Sequence, residues 1–269
     1  MANIIAVIWD CDKTLIDGYM QDPIFKEHNI DAKDFWAEVN NKVAEYEQSG
    51  VRVNRDTYYL NHFIKCAHNG TFPGLNREKL KKYGEQQTFY AGIPEIFEET
   101  KKMFLEDKSY AEYGIQVEHY IVSTGFADVI RGTKLMDHVE EIWGCELLDA
   151  PDKDGKPVIS EVLYTLDNTT KTRAIFEINK GIGKVEDIDV NSKIPEESRR
   201  VHFENMIYIA DGPSDIPAFS LIKKNGGATF AVYPKGDLKA MRQVEEMSEN
   251  GRVDMYAEAD YSKDTKNSR

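Results

Sequence analysis

The sequence predicts the parallel α/β class, with a helical segment inserted early in the chain. Three observations predict it. The first is a pair of apolar runs rich in β-branched residues, 4–9 and 206–210, which stop at Asp10 and Asp211. Apolar runs without polar alternation read as strands buried on both faces, as a parallel sheet requires. The second is the alternation of strand and helix signals after residue 92, the pattern of βα units. The third is the stretch 17–91, where helical periodicity dominates and strand signal is scarce.

Composition narrows the class of protein. A chain of 269 residues with 41% hydrophobic and 30% charged residues can bury a sizeable core and is not globally disordered. Its net charge of −13 argues against nucleic acid as an obligatory partner, while leaving room for a local basic pocket that holds a phosphate. No run of 18 apolar residues occurs, so no membrane span is expected. Cys11, Cys66 and Cys145 are few, odd in number and far apart, which fits neither a disulfide framework nor a zinc site. The first strand begins almost at once, with no charged region, long apolar stretch or cleavage site before it. The expected location is therefore the cytoplasm.

After the strand at 4–9, Asp31 is placed to cap a helix whose apolar face is Phe35, Trp36, Val39, Val43 and Tyr46 and which Gly50 ends. Asp56 announces a second helix, with Tyr59, Leu60, Phe63, Ile64 and Ala67 inward and Asn69-Gly70 closing it. A third follows Asn76 through Leu80 and Tyr83. Ile93, Ile96, Phe97, Met103 and Phe104 mark an amphipathic helix, with Pro94 suited to its first turn. The run His119 to Gly125 is a short strand ending in small hydroxyl residues, and a helix is expected over 127–143. A hairpin turning at 152–157 comes next, then a helix from Lys171 to Gly181 capped by Asn168-Thr169-Thr170. Residues 183–201 are polar and irregular. The strand at 206–210 leads to a helix over 216–224, a strand over 229–233, a helix over 238–247 and a last strand region over 253–261. The tail 262–269 is polar and expected to fray.

Four short stretches fall at strand ends or helix starts: Asp10-x-Asp12-x-Thr14, Ser123, Lys171 and Asp211-x-x-x-Asp215. Together they suit phosphoryl transfer. A phosphate ester carries about two negative charges near neutral pH, and bare aspartates would repel it. Magnesium, a hard cation that takes oxygen ligands, resolves that conflict. Lys171 adds positive charge, Ser123 adds a hydrogen-bond donor, and one carboxylate is left to attack phosphorus. Thr124 competes with Ser123 for its part, and Lys134 and Lys180 compete with Lys171.

This set, in this order, resembles the haloacid dehalogenase (HAD) superfamily of phosphohydrolases. Asp10-Cys11-Asp12-Lys13-Thr14 looks like its first motif, Ser123 its second, Lys171 its third and Asp211-Gly212-Pro213-Ser214-Asp215 its fourth. Ala210 stands where a glycine usually precedes the fourth motif. The resemblance implies a Rossmann-like core made of residues 1–16 and 92–261, a helical type-1 cap at 17–91, and the polar tail at 262–269. It implies that Asp10 is the nucleophile, and that Asp12 is first the general acid and then the base. It implies magnesium held by Asp10, the carbonyl of Asp12, and Asp211. Asp215 would support a metal-bound water or orient Lys171, and Thr14 would brace the loop. Cys11 is a filler between the acids, and His62, His68 and His119 are structural or surface residues.

The implied activity is a magnesium-dependent phosphatase acting on a small phosphorylated metabolite through an aspartyl-phosphate. The alternatives are a phosphomutase of the same fold and a catalytically silent binding or regulatory protein. No nucleic acid or membrane partner is expected. The core is similar to that of phosphoserine phosphatases. Those usually place an acid shortly after the first motif to receive the substrate amine. Here Tyr19 and Met20 occupy that neighbourhood, which argues against phosphoserine. Within the cap, Arg52, Arg55 and Lys65 are candidates to meet an anionic group.

Overall fold

The apolar run after Asn3 forms the central strand of the sheet. A computed structural model of the protein describes residues 3–106, 110, 112–186 and 188–263. All but the first two residues of the expected frayed tail (264–269) lie outside these. The strands are β1 (Asn3–Trp9), β2 (Ile115–Phe126), β3 (Glu141–Pro151), β4 (Pro157–Tyr164), β5 (Met206–Ala210), β6 (Ala228–Tyr233) and β7 (Met255–Glu258). Their order across the sheet is β4-β3-β2-β1-β5-β6-β7, and only β4 runs antiparallel to its neighbour. The chain is therefore an α/β protein with a Rossmann-like sheet, as predicted. β1 lies between β2 and β5, so the loops after these three strands emerge together at one edge, where ligands of open α/β sheets gather.

Four helices fill the stretch 17–91: α1 (Asp22–Glu27), α2 (Ala32–Gln48), α3 (Arg55–Asn69) and α4 (Arg77–Gly84). The short α1, opened by Pro23, carries too few residues for a periodic signal and is an addition to the expected set. Asp31 caps α2, accepting the Lys33 N–H at 2.7 Å, and Asn76 caps α4, accepting the Lys79 N–H at 2.8 Å. The cap of α3 is Asn54, which accepts the Thr57 N–H at 2.9 Å, and not Asp56. Asp56 sits in the first turn with its carboxylate spared from capping. The segment enters and leaves side by side: Asp17 N donates to Thr88 O at 2.9 Å and Tyr90 N to Leu15 O at 3.1 Å.

α5 (Glu95–Glu106) follows, starting one residue beyond Pro94. The helix expected over 127–143 is overturned. α6 spans only Ala127–Arg131, a 3-10 turn covers Lys134–Asp137, and β3 has begun by Glu141. Gly132 is still helical (φ −79°, ψ −8°), and the chain turns extended at Thr133 (φ −86°, ψ 158°). The Gly132 backbone lies against that of α4, and a Cβ there would stand 1.8 Å from the Lys81 carbonyl oxygen. Thr133 then caps the 3-10 turn by accepting the Leu135 N–H at 3.2 Å. β2 is longer than expected, and Ser123, Thr124 and Gly125 lie inside it, where its register with β3 shifts. α7 (Lys171–Lys180) starts at the predicted lysine, but Asp167, not Asn168-Thr169-Thr170, organises its entry: the carboxylate accepts the Thr169 and Thr170 N–H groups at 2.9 and 2.7 Å. α8 (Ile216–Lys224) and α9 (Leu238–Glu249) complete the helices among the described residues.

The helical segment is packed onto the sheet's far wing. α3 lies against β4, α4 against α6, and Ile159 N donates to Leu75 O at 2.9 Å. Arg77 Nε donates to the buried Asp128 carboxylate at 2.6 Å. One apolar cluster runs through both parts, from Ile8 and Trp9 in the sheet to Phe25, Phe35, Phe63 and Phe72 in the helices. No described helix is long and apolar enough to cross a membrane.

Candidate active site

Asp10 follows directly on β1, and its N–H still donates to Ile209 O of β5 at 2.9 Å. The chain then turns sharply. The Cys11 carbonyl accepts the N–H groups of Leu15 and Ile16 at 2.9 and 3.0 Å, and Lys13 takes a left-handed conformation at φ 56°. Such a φ is uncommon for a residue with a Cβ and here serves the tightness of the loop. Thr14 Oγ1 donates to Asp10 Oδ2 at 3.2 Å, and the Met20 N–H donates to Asp12 Oδ1 at 2.8 Å. The two aspartates of the loop therefore face different neighbours.

Lys171, at the start of α7, is buried and reaches both Asp10 and Asp215. Its Nζ donates to Asp10 Oδ1 at 2.7 Å and to Asp215 Oδ1 at 2.6 Å. Asp215 also accepts from Tyr208 Oη at 2.6 Å and Ser214 Oγ at 2.8 Å. The competing lysines are elsewhere: Lys134 Nζ donates to Ile93 O at 3.1 Å, and Lys180 Nζ to Ser192 O at 2.8 Å. Ser123 lies two residues past Ile121, which pairs with Trp9, and so is level with Cys11 on the neighbouring strand. Its Oγ is buried and accepts the Gly125 N–H at 3.1 Å, a contact that does not use its own hydrogen. Thr124 instead engages through its carbonyl, which accepts from Tyr59 Oη at 2.6 Å.

Carboxylate oxygens of Asp10, Asp211 and Asp215 lie within 4.8 Å of one another. With all three carboxylates ionised, the single Lys171 ammonium leaves two negative charges in a largely buried site. Oxygen donors with that residual charge fit a divalent hard cation. The Asp12 carboxylate does not belong to this group.

Strands, hairpin and acidic loops together make a fold already known from solved structures. The chain is similar to a HAD family hydrolase from Salmonella enterica serovar Typhi, at a TM-score of 0.56 and 13% identity over 95% of this chain and 67% of that one. It is also similar to a phosphoserine phosphatase solved as a phospho-aspartyl intermediate analogue, at a TM-score of 0.52 and 21% identity over 94% and 93% of the two chains. The fold of this chain is thus similar to that of HAD-family hydrolases. Its core is like that of the phosphoserine phosphatases, which a second such structure, in apo form, matches at a TM-score of 0.52. In sequence it shares a family with an uncharacterised protein of Borreliella burgdorferi, 36% identical over 98% of this chain and 94% of that one. No family model matches it.

The electrostatics of the site follow from burial. Burial raises the Asp10 carboxyl to about 6, with Lys171 pulling against it and Asp215 adding to it. Burial, then the charges of Asp10 and Asp215, raise Asp211 to about 8. Asp12 is raised to about 7 by burial and by Asp10, against the Met20 N–H that favours its ionised form. Burial pulls the Lys171 ammonium down, but Asp10 and Asp215 more than offset it, so the ammonium stays charged. Burial pushes the Cys11 thiol well up, which keeps it protonated and unreactive.

Several residues of this site are ones that sequence reasoning passed over. Tyr208 counts in the sequence only as a strand residue, although its hydroxyl holds Asp215. Gln21, Trp36, Asp56 and Tyr59 line a cavity that reaches Asp12, together with Arg55, one of the three expected cap cations. Asp56 carried a usable signal: an acid two residues after a better N-cap, Asn54, has its carboxylate to spare.

Proposed function

We propose that this chain is a magnesium-dependent phosphatase that hydrolyses a small phosphorylated metabolite through an aspartyl-phosphate on Asp10. The observation that carries the reading is the pairing of Lys171 with Asp10 and Asp215 beside Asp211, three acids and one ammonium gathered in a largely buried site. Asp10, Asp211 and Asp215 would hold magnesium, with the Asp12 carbonyl as a further oxygen donor. When bound, it supplies the positive charge that lets a phosphate approach these carboxylates.

In this reading Asp10 attacks phosphorus in line, and the P–O bond to the leaving alcohol breaks. Lys171 and the free hydrogen of Ser123 hold the phosphoryl oxygens as charge moves onto them. Asp12, whose carboxyl sits at about 7, keeps a proton to give to the departing oxygen near neutral pH. In the second half, the Asp12 carboxylate takes a proton from water, whose oxygen attacks the aspartyl-phosphate. Inorganic phosphate leaves and the Asp10 carboxylate is restored. Asp215 keeps the Lys171 ammonium in place, and Thr14 braces Asp10. Residues 17–91 act as the cap that covers the site and supplies contacts to the leaving group. Three cysteines, all buried and free, support a reducing compartment, and the cytoplasm is the location we assign.

The test is Asp10→Asn, an isosteric change that removes the nucleophile. Turnover of p-nitrophenyl phosphate with magnesium should fall by about a thousandfold or more, with the circular dichroism spectrum unchanged. Hydrolysis by Asp10→Asn near the wild-type rate would refute the assignment.

A further inference from the structure

A cavity of about 350 Å³ opens onto Asp12 from the side of the helical segment. Gln21 lines it and is only 4% exposed, yet Gln21 Oε1 has no hydrogen-bond partner among the described residues. A buried carbonyl oxygen without a partner is costly, so a ligand hydrogen is its natural complement. The other polar walls are similarly arranged. Tyr59 spends its hydroxyl hydrogen on the Thr124 carbonyl, so toward the cavity it offers only an acceptor. Asp56 is an acceptor as well. Arg55 is a donor held in place, with Nε on Asn40 Oδ1 at 2.7 Å and the guanidinium 5.6 Å from the Trp36 ring centre.

We propose that this cavity binds a polyhydroxylated leaving group, so that the substrate is a phosphorylated sugar or polyol. Gln21, Asp56 and Arg55 are its specificity-determining residues. The inference rests on the phosphatase reading above. Size supports it: at ~30 Å³ per water the cavity has room for roughly a dozen. An amino alcohol or an amino acid side chain would leave much of that space hydrated. Charge supports it too. Arg55 disfavours a purely cationic group and Asp56 a purely anionic one, whereas hydroxyls donate to Gln21, Asp56 and Tyr59 and accept from Arg55. A zwitterionic amino acid also meets both charges, which makes phosphoserine the decisive competitor.

The experiment compares kcat/KM of the full chain with magnesium on glucose 6-phosphate, ribose 5-phosphate, sorbitol 6-phosphate, phosphoserine, phosphoethanolamine and p-nitrophenyl phosphate. At least one sugar or polyol ester should exceed phosphoserine and phosphoethanolamine by about tenfold or more. In Gln21→Leu, and separately in the exposed Arg55→Gln, the ratio of kcat/KM for that ester over p-nitrophenyl phosphate should fall about tenfold, the effect of one lost hydrogen bond. Preference for phosphoserine or phosphoethanolamine would overturn the proposal while leaving the phosphatase reading intact. So would an unchanged ratio in Arg55→Gln together with any folded Gln21 variant. Absence of p-nitrophenyl phosphate hydrolysis would overturn both.

Discussion

His119 illustrates how a single side chain can be given a role by its hydrogen bonds. It is fully buried, and Trp9 Nε1 donates to its Nδ1 at 3.1 Å. An indole can only donate, so Nδ1 carries no hydrogen. Nε2 therefore carries it, facing Thr100 Oγ1 at 2.9 Å. Burial lowers the His119 pKa to about 3. The folded state thus refuses a proton that the unfolded chain accepts below about 6.5. Stability from this residue is complete above pH 6.5 and is lost as pH falls toward 3, by about 2 kcal/mol at pH 5. His119→Gln keeps one acceptor and one donor but does not titrate. Urea melts at pH 7.5 and 5 should show the difference between wild type and His119→Gln shrinking or reversing at the lower pH. The same logic of neighbours separates Asp10 from Asp12: the first faces an ammonium, the second a backbone N–H, although the sequence writes them alike.

At the scale of elements, α4 and α6 meet through two glycines. A Cβ on Gly84 would stand 2.1 Å from the Val129 carbonyl oxygen, and one on Gly132 would stand 1.8 Å from that of Lys81. Neither neighbour is a side chain that can swing aside. Gly84→Ala should therefore destabilise the protein by about 1–3 kcal/mol, the usual cost of overpacking, although alanine is the better helix former. A denaturant melt checks the sign, and a neutral or stabilising change would mean that the two helices can separate freely. The expected helix over 127–143 ends beside this contact, where Thr133 turns extended and its side chain caps a 3-10 turn instead. By contrast α2, α4 and α7 begin where their sequences predict, because their starts depend on residues within one turn.

At the scale of the molecule, the acidic cluster joins the end of β1 to the end of β5, about two hundred positions apart in the chain. The unfolded chain holds no such cluster, so a cation that binds it stabilises the fold by mass action, by about 2.7 kcal/mol at a hundredfold excess over Kd. Binding requires Asp10 and Asp211 ionised, and they sit at about 6 and about 8. The stabilisation by magnesium chloride over sodium chloride of equal ionic strength should therefore grow from pH 6 to pH 8 and level above it. Urea melts at pH 6, 7 and 8 measure it, and a gain that shrinks with rising pH would contradict the site.

The α/β class, the buried strands that end at Asp10 and Asp211, the helices of 17–91 and the four candidate stretches are legible in the sequence. Each of these is written in local signals: apolar runs that end in acid, helix starts and turn residues. Lys171 was legible because a helix start places a side chain at a sheet edge. That Lys171, and not Lys134 or Lys180, meets Asp10 depends on strands crossing in space and is visible only in the fold. It alone brought Asp215 beside Asp10 and Asp211, held by Tyr208, and it alone turned Asp56 and Gln21 toward Asp12. Side-chain periodicity records which face of an element is apolar. It does not record which other element lies opposite, and the cavity beside Asp12 is made of such meetings.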